Sequence, residues 1–189
     1  MEKRQAVKRY AFILVLGLCA LMHSATAQSL APLTAIPNLD VSQYLGRWHE
    51  IAKFPNRFQK KCVSDTSADY ALRPDGSIAV LNQCRRADGE WEMALGLARQ
   101  IGGTQSARLE VRFAPAWLSW LPWVWGDYWI VDLDDRYDLV AVSEPSREYL
   151  WILSRSPVVD PSRYAALLAR LSAMGLDIGR LEKTRHSGS

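Results

Sequence analysis

Between Trp48 and Ser154 the chain is a series of short runs that alternate in polarity or are rich in β-branched and aromatic residues, each closed by a turn signal. The clearest is Ala107–Phe113, where Leu109, Val111 and Phe113 share one face and Arg108, Glu110 and Arg112 the other. A period of two with one dry and one wet side is the pattern of a strand at the edge of a core. Comparable runs fall at Trp48–Phe54, Thr66–Leu72, Ser77–Asn82, Trp91–Arg99, Tyr128–Leu133, Leu139–Ser143 and Tyr149–Ser154. Pro74-Asp75-Gly76, Ala87-Asp88-Gly89, Gly102-Gly103, Asp134-Asp135 and Glu144-Pro145 separate them, residues that favour tight turns. Eight strands in series with mostly short connections define an all-β antiparallel fold, either a sandwich or an up-and-down barrel, and periodicity alone does not choose between them. In 128–133 and 149–154 both faces carry bulky apolar groups, so the inward face is ambiguous there.

One helix follows the strands. Asp160 is placed to cap it and Pro161 suits its first position; Tyr164, Leu167, Leu168 and Leu171 recur at helical spacing, and Gly175 is the stop.

The first 27 residues read as an export signal. Lys3, Arg4, Lys8 and Arg9 precede an apolar run from Ala11 to Met22, and Ser24-Ala25-Thr26-Ala27 supplies small residues for cleavage before Gln28. The run is well short of the roughly 20 residues a spanning helix needs. A retained anchor and lipidation at Cys19 are the alternatives, and Leu18 stands where a lipoprotein signal has a small residue. The chain then divides into a cleaved segment 1–27, a loose lead-in 28–38, one domain over 39–180 and a C-terminal tail 181–189. Removing the four bases and one acid of residues 1–27 from the 23 bases and 20 acids of the chain leaves 19 of each. A nearly neutral mature chain weakens any electrostatic case for binding nucleic acid or an anionic membrane surface.

Export also sets the meaning of the cysteines. Cys62 and Cys84 remain after residue 27, and a pair in an oxidising compartment points to a disulfide. A hairpin turning at 74–76 sets Tyr70 opposite Val80, and straight counting then sets Cys62 opposite residue 88. The bridge therefore requires a bulge or bend.

Three motifs add a resemblance. Gly46-Arg47-Trp48, within Tyr44-Leu45-Gly46-Arg47-Trp48-His49-Glu50, resembles the opening Gly-x-Trp of lipocalins in the form carried by the bacterial and apolipoprotein D-like branch. Asp127-Tyr128 looks like the second lipocalin motif, with Gly126 where Thr is usual. Tyr149 to Arg155 resembles the third, whose arginine ends the last strand. The resemblance implies an eight-stranded antiparallel up-and-down β-barrel with one C-terminal α-helix and a ligand cavity inside. It implies that Trp48 plugs one end, that Arg155 stacks across its indole and that Gly46 lets the chain bend into the barrel. These three are expected to serve stability more than affinity. It further implies a non-enzymatic, exported carrier of a small hydrophobic ligand, a fatty acid or lysophospholipid, serving lipid transport and membrane upkeep. The expected location is the periplasm, with association at the outer membrane, and the expected state is a monomer or homodimer.

Alternation nominates Leu109, Val111 and Phe113 as cavity residues, with Tyr128 and Trp151 from the ambiguous strands. Catalytic patterns are absent from the sequence. His49 and His186 belong to no metal-spacing motif, no Gly-x-Ser-x-Gly elbow occurs, and no Gly-rich phosphate loop opens a helix, so no metal or cofactor is implied. An enzyme using the same cavity, with Cys62 or a tyrosine as the reactive group, is the rival from another class, and a Cys62–Cys84 bridge would remove the thiol nucleophile.

Trp117, Trp120, Trp123 and Trp125 crowd one segment, broken by Pro115 and Pro122 and so a connection rather than a central strand. These indoles either fill a core or cover one barrel end, sit at a membrane interface, or form a dimer patch.

Overall fold

A computed structural model of the protein describes residues 30–187, so the export-signal and Cys19 readings lie outside the described residues. The strands are β1 (Gly46–Lys53), β2 (Cys62–Leu72), β3 (Ile78–Arg86), β4 (Trp91–Gln100), β5 (Arg108–Arg112), β6 (Gly126–Leu133), β7 (Leu139–Ser143) and β8 (Leu150–Ser154). Each pairs antiparallel with the next, and β1 pairs with both β2 and β8. That double pairing closes the ring and removes the sandwich alternative.

The hairpin arithmetic holds and then breaks where the bridge demands it. Tyr70 lies opposite Val80, but register shifts between Cys62 and Ser64 and between Ser64 and Ser67 bring Cys62 opposite Arg86. Cys84 is then its diagonal neighbour, and the two are joined in a disulfide with Cα atoms 5.5 Å apart. The bulges are the price of the bridge.

Two apolar clusters lie on opposite faces of one wall. Inside are Trp48, Ala68, Tyr70, Ile78, Val80, Ala98, Leu109, Ile130, Val140, Val142 and Leu153. Outside are Ala52, Phe54, Val131, Leu139, Ala141, Leu150 and Ile152, packed with Leu167 and Leu171 of helix α2 (Pro161–Ala173), which follows a short helix α1 (Val41–Tyr44) in chain order. Helix α2 thus explains the ambiguous strands: β6, β7 and β8 are dry on both sides because one side faces the lumen and the other the helix. Burying Leu167 and Leu171 contributes roughly 1.5–3 kcal/mol each. Asp160 accepts from the Ser162 and Arg163 amides at the helix start, and Arg170 makes a two-point ion pair to Asp132 on β6.

Two segments read as peripheral belong to the barrel. The lead-in is not loose. Leu33 is buried with the outer cluster and Leu39 with the inner one, and the Ile36 and Leu39 amides donate to the carbonyls of Ile130 and Gln105. The tail is not free either. A ninth strand, β9 (Glu182–Lys183), pairs with Ala52 and Lys53 of β1. Arg185 accepts from the Asp65 amide, so residues 182–187 fill the gap where β1 and β2 diverge past the His49–Ser67 rung.

Candidate ligand-binding site

The closed end is built around Trp48, which is fully buried and donates from Nε1 to the Tyr44 carbonyl at 2.8 Å. The Arg155 guanidinium lies 4.0 Å from its ring centroid. Arg155 also donates to the carbonyls of Tyr137, Arg47 and Gln43, joining four separate segments. Gly46 turns into β1 at φ +90°, a conformation that disfavours a Cβ, and a Cβ there would meet Arg155 Nη1 at 3.5 Å. Asp127, the other motif residue, is exposed on the outer face of β6 opposite Glu110.

The antiparallel order puts the connections 54–61, 87–90, 113–125 and 144–149 together at the other end, the mouth. Lumen-facing residues in that half are only partly covered: Asn82, Val111, Tyr128 and Trp151 are all half-buried although they point inward. They line the upper lumen, where Val111, Tyr128 and Trp151 pack against the inner cluster while keeping some accessible surface. Of the five cavity residues nominated from sequence, Val111, Tyr128 and Trp151 belong to this lining. Leu109, directly opposite Tyr128 on β6, is buried in the inner cluster. Phe113 lies past the end of β5, 43% exposed at the rim, with its ring against inward-facing Gly96, where a Cβ would be 2.7 Å from its Cε1.

Sequence reasoning missed the polar groups of the lumen. Glu50 is buried and points inward; Gln59 and Thr184 donate to its two carboxylate oxygens, and His186 bonds its carbonyl. Burial raises the Glu50 carboxyl above the usual carboxylate range, against the pull of those bonds and of nearby Lys53. Gln59 also accepts from Trp151 Nε1 at 3.0 Å, and Lys53 pairs with Glu182 at 2.9 Å. Lower down, the Tyr128 hydroxyl bonds those of Tyr44 at 2.7 Å and Tyr70 at 2.8 Å. Desolvation pushes the Tyr70 phenol up to about 12 and raises Tyr44 and Tyr128 well above the ordinary phenol value, so all three stay neutral. Alternation in β2 could have found Tyr70, since Ala68 and Tyr70 share the dry face.

The tryptophan segment divides. Trp125 is half-buried outside the barrel, 4.1 Å from the Arg99 guanidinium, and donates to the Ser119 carbonyl. Trp117, Trp120 and Trp123 are 73%, 77% and 76% exposed on two short 3₁₀ turns at the mouth, with Phe58 of the 54–61 loop 63% exposed at the same end. They fill no core. Among the described residues no cluster of three or more His, Cys, Asp or Glu is placed to hold a metal, and no helix is long and apolar enough to cross a membrane.

The result is a closed eight-stranded barrel, packed at its base and flanked by one helix, whose inward residues toward the mouth keep some accessible surface. Residues 39–186 match the lipocalin-like domain family, and the chain belongs to the lipocalins, whose members support binding of small hydrophobic ligands. It is 41% identical over 154 residues to temperature-induced lipocalin-1 of Arabidopsis thaliana, covering 80% of this chain and 82% of the relative. It is 34% identical to the outer membrane lipoprotein Blc of Escherichia coli K12, covering 82% and 84% of the two chains. Mouse apolipoprotein D is also 34% identical, over 78% of this chain and 77% of its own.

Proposed function

We propose that the protein is an exported, non-enzymatic carrier that holds one acyl-chain lipid, a fatty acid or a lysophospholipid, in the barrel lumen. The observation that carries this reading is the half-buried inward set Val111, Tyr128 and Trp151 above a sealed base. Binding is driven by removing the acyl chain from water, worth roughly 25 cal/mol per Å² before ordering costs. The Cys62–Cys84 bond occupies the sulfur that a thiol enzyme would need. The basic and apolar pattern of residues 1–27, and the outer-membrane lipoprotein among the relatives, support a periplasmic location at the outer membrane.

Titration of the delipidated protein with fatty acids and lysophospholipids below their micelle concentrations, followed by tryptophan emission, tests the reading. Saturable binding supports it; a flat titration against a demonstrably empty protein overturns it.

A second activity rests on the exposed Trp117, Trp120 and Trp123. Indoles with an apolar body and a polar N–H suit the headgroup boundary of a bilayer. A mouth docked on a membrane would receive its ligand directly. Vesicle co-sedimentation lost on replacing the three tryptophans by serine, with ligand uptake intact, would establish docking as separable; unchanged sedimentation would remove it.

A further inference from the structure

Strands β2 and β6 stand on opposite walls of the eight-stranded ring, four places apart in its order. Tyr70 of β2 and Tyr128 of β6 nevertheless touch hydroxyl to hydroxyl at 2.8 Å, with Tyr44 joining from below at 2.7 Å. Their side chains form a crossbar through the lumen. Trp48, Ala98 and Leu109 pack in the same inner cluster, Leu109 directly opposite Tyr128.

The crossbar has capacity left over. Three phenols carry three O–H protons, and the two bonds among them use two, so one donor is available whichever way the chain of bonds runs. Asn82 lies on the same inward face of β3, two residues nearer the mouth than Val80, the partner of Tyr70. Its Oδ1 is buried and has no hydrogen-bond partner. A buried acceptor without a donor costs free energy until one arrives. Arg155 lies against the Trp48 indole with its N–H groups on three backbone carbonyls, so the crossbar itself is a set of neutral groups.

We infer that the crossbar and Asn82 form a polar station that binds the inner end of the ligand, and that this end is an uncharged hydroxyl-type group able both to accept from a tyrosine and to donate to Asn82. The ligand class is a single-chain lipid whose buried end carries such a group: a long-chain alcohol, a chain hydroxylated at its far end, or an un-ionised carboxylic acid lying head inward. A plain hydrocarbon end would leave Asn82 Oδ1 unsatisfied. The inference rests on the carrier reading of the same lumen and specifies its ligand.

Two isomers separate the effects of chain length and hydrogen bonding. 1-Dodecanol accepts and donates; 1-methoxyundecane has the same atoms and accepts only. In displacement of a bound fluorescent fatty-acid analogue, the alcohol is expected to bind the protein about five- to tenfold more tightly, the value of one hydrogen bond at a buried acceptor. Asn82→Leu, checked for native thermal unfolding, is expected to bind the two isomers equally. Equal binding of the isomers to the unaltered protein, a comparison that needs no variant, overturns the station while leaving the carrier reading standing. A preference for the alcohol that persists in Asn82→Leu overturns the role of Asn82. Binding of neither isomer, with no uptake of any acyl lipid, overturns both readings.

Discussion

Replacing Arg155 by methionine keeps the aliphatic stem and removes the guanidinium. Three donations disappear, to the carbonyls of Tyr137, Arg47 and Gln43, together with the cation held 4.0 Å from the Trp48 ring. A hydrogen bond involving a charged donor contributes about 1.5–3 kcal/mol and a cation–π contact about 0.5–2 kcal/mol. Arg155 is only half-buried and the four contacts act as a unit, so the expected loss is about 3–5 kcal/mol, not their sum. With a urea m-value of about 2 kcal/mol per M, the midpoint falls by about 1.5–2.5 M at unchanged m. Arg155→Lys keeps a charge near the indole but not the planar fork, and is expected to fall between the two. The assay is urea unfolding followed by tryptophan emission, with lipid affinity measured well below the midpoint. A methionine variant within about 0.5 kcal/mol of the parent, the range of an ordinary surface change, refutes the argument that Arg155 ties the closed end together. An unchanged midpoint with a lost affinity would move Arg155 from structure to binding.

Reducing the Cys62–Cys84 bond, which spans a sequence separation of 22, is expected to cost about 3 kcal/mol by chain entropy, read as a lower urea midpoint in reductant. Gly46→Ala is expected to cost about 1–2 kcal/mol in the same assay, because φ +90° is strained for a residue with a Cβ. Glu50 has a folded-state carboxyl value above that of the unfolded chain, so the stability it contributes is fully present below the ordinary carboxylate range and is lost as pH rises through the raised value. Thermal midpoints compared between the parent and Glu50→Gln should therefore show the parent gaining on the variant as pH falls from 7; a constant difference would be the contrary result. Trp117→Ser, Trp120→Ser and Trp123→Ser are expected to leave the thermal midpoint nearly unchanged, each within about 0.5 kcal/mol, since these side chains are exposed.

The strands, the helix and its cap are legible in the sequence because they are local. Alternation at Leu109 and Val111, and the Asp160–Pro161 start, need no distant partner to be recognised. The motif residues Trp48, Gly46 and Arg155 are legible only through resemblance, since nothing local says that residues 107 positions apart will stack. What stays hidden is the long-range polar pairing. Glu50 reads as one charged residue among many until Gln59 and Thr184 converge on it, and Tyr44 and Tyr128 look like core aromatics until their hydroxyls meet. The four tryptophans of 117–125 share one composition and two fates, decided by whether Arg99 lies beneath the ring.

The strap of residues 182–187 gives the fold a clock. Glu50, in the first strand, waits for Thr184, 134 residues further along, before its carboxylate is fully bonded. At a synthesis rate of about 5–20 residues per second, that interval is roughly 7–27 s. Until then β1 has an open edge where β2 has diverged, and the wall is unfinished however well the hairpins between have formed. A chain so ordered cannot complete its native barrel until its last residues have been made.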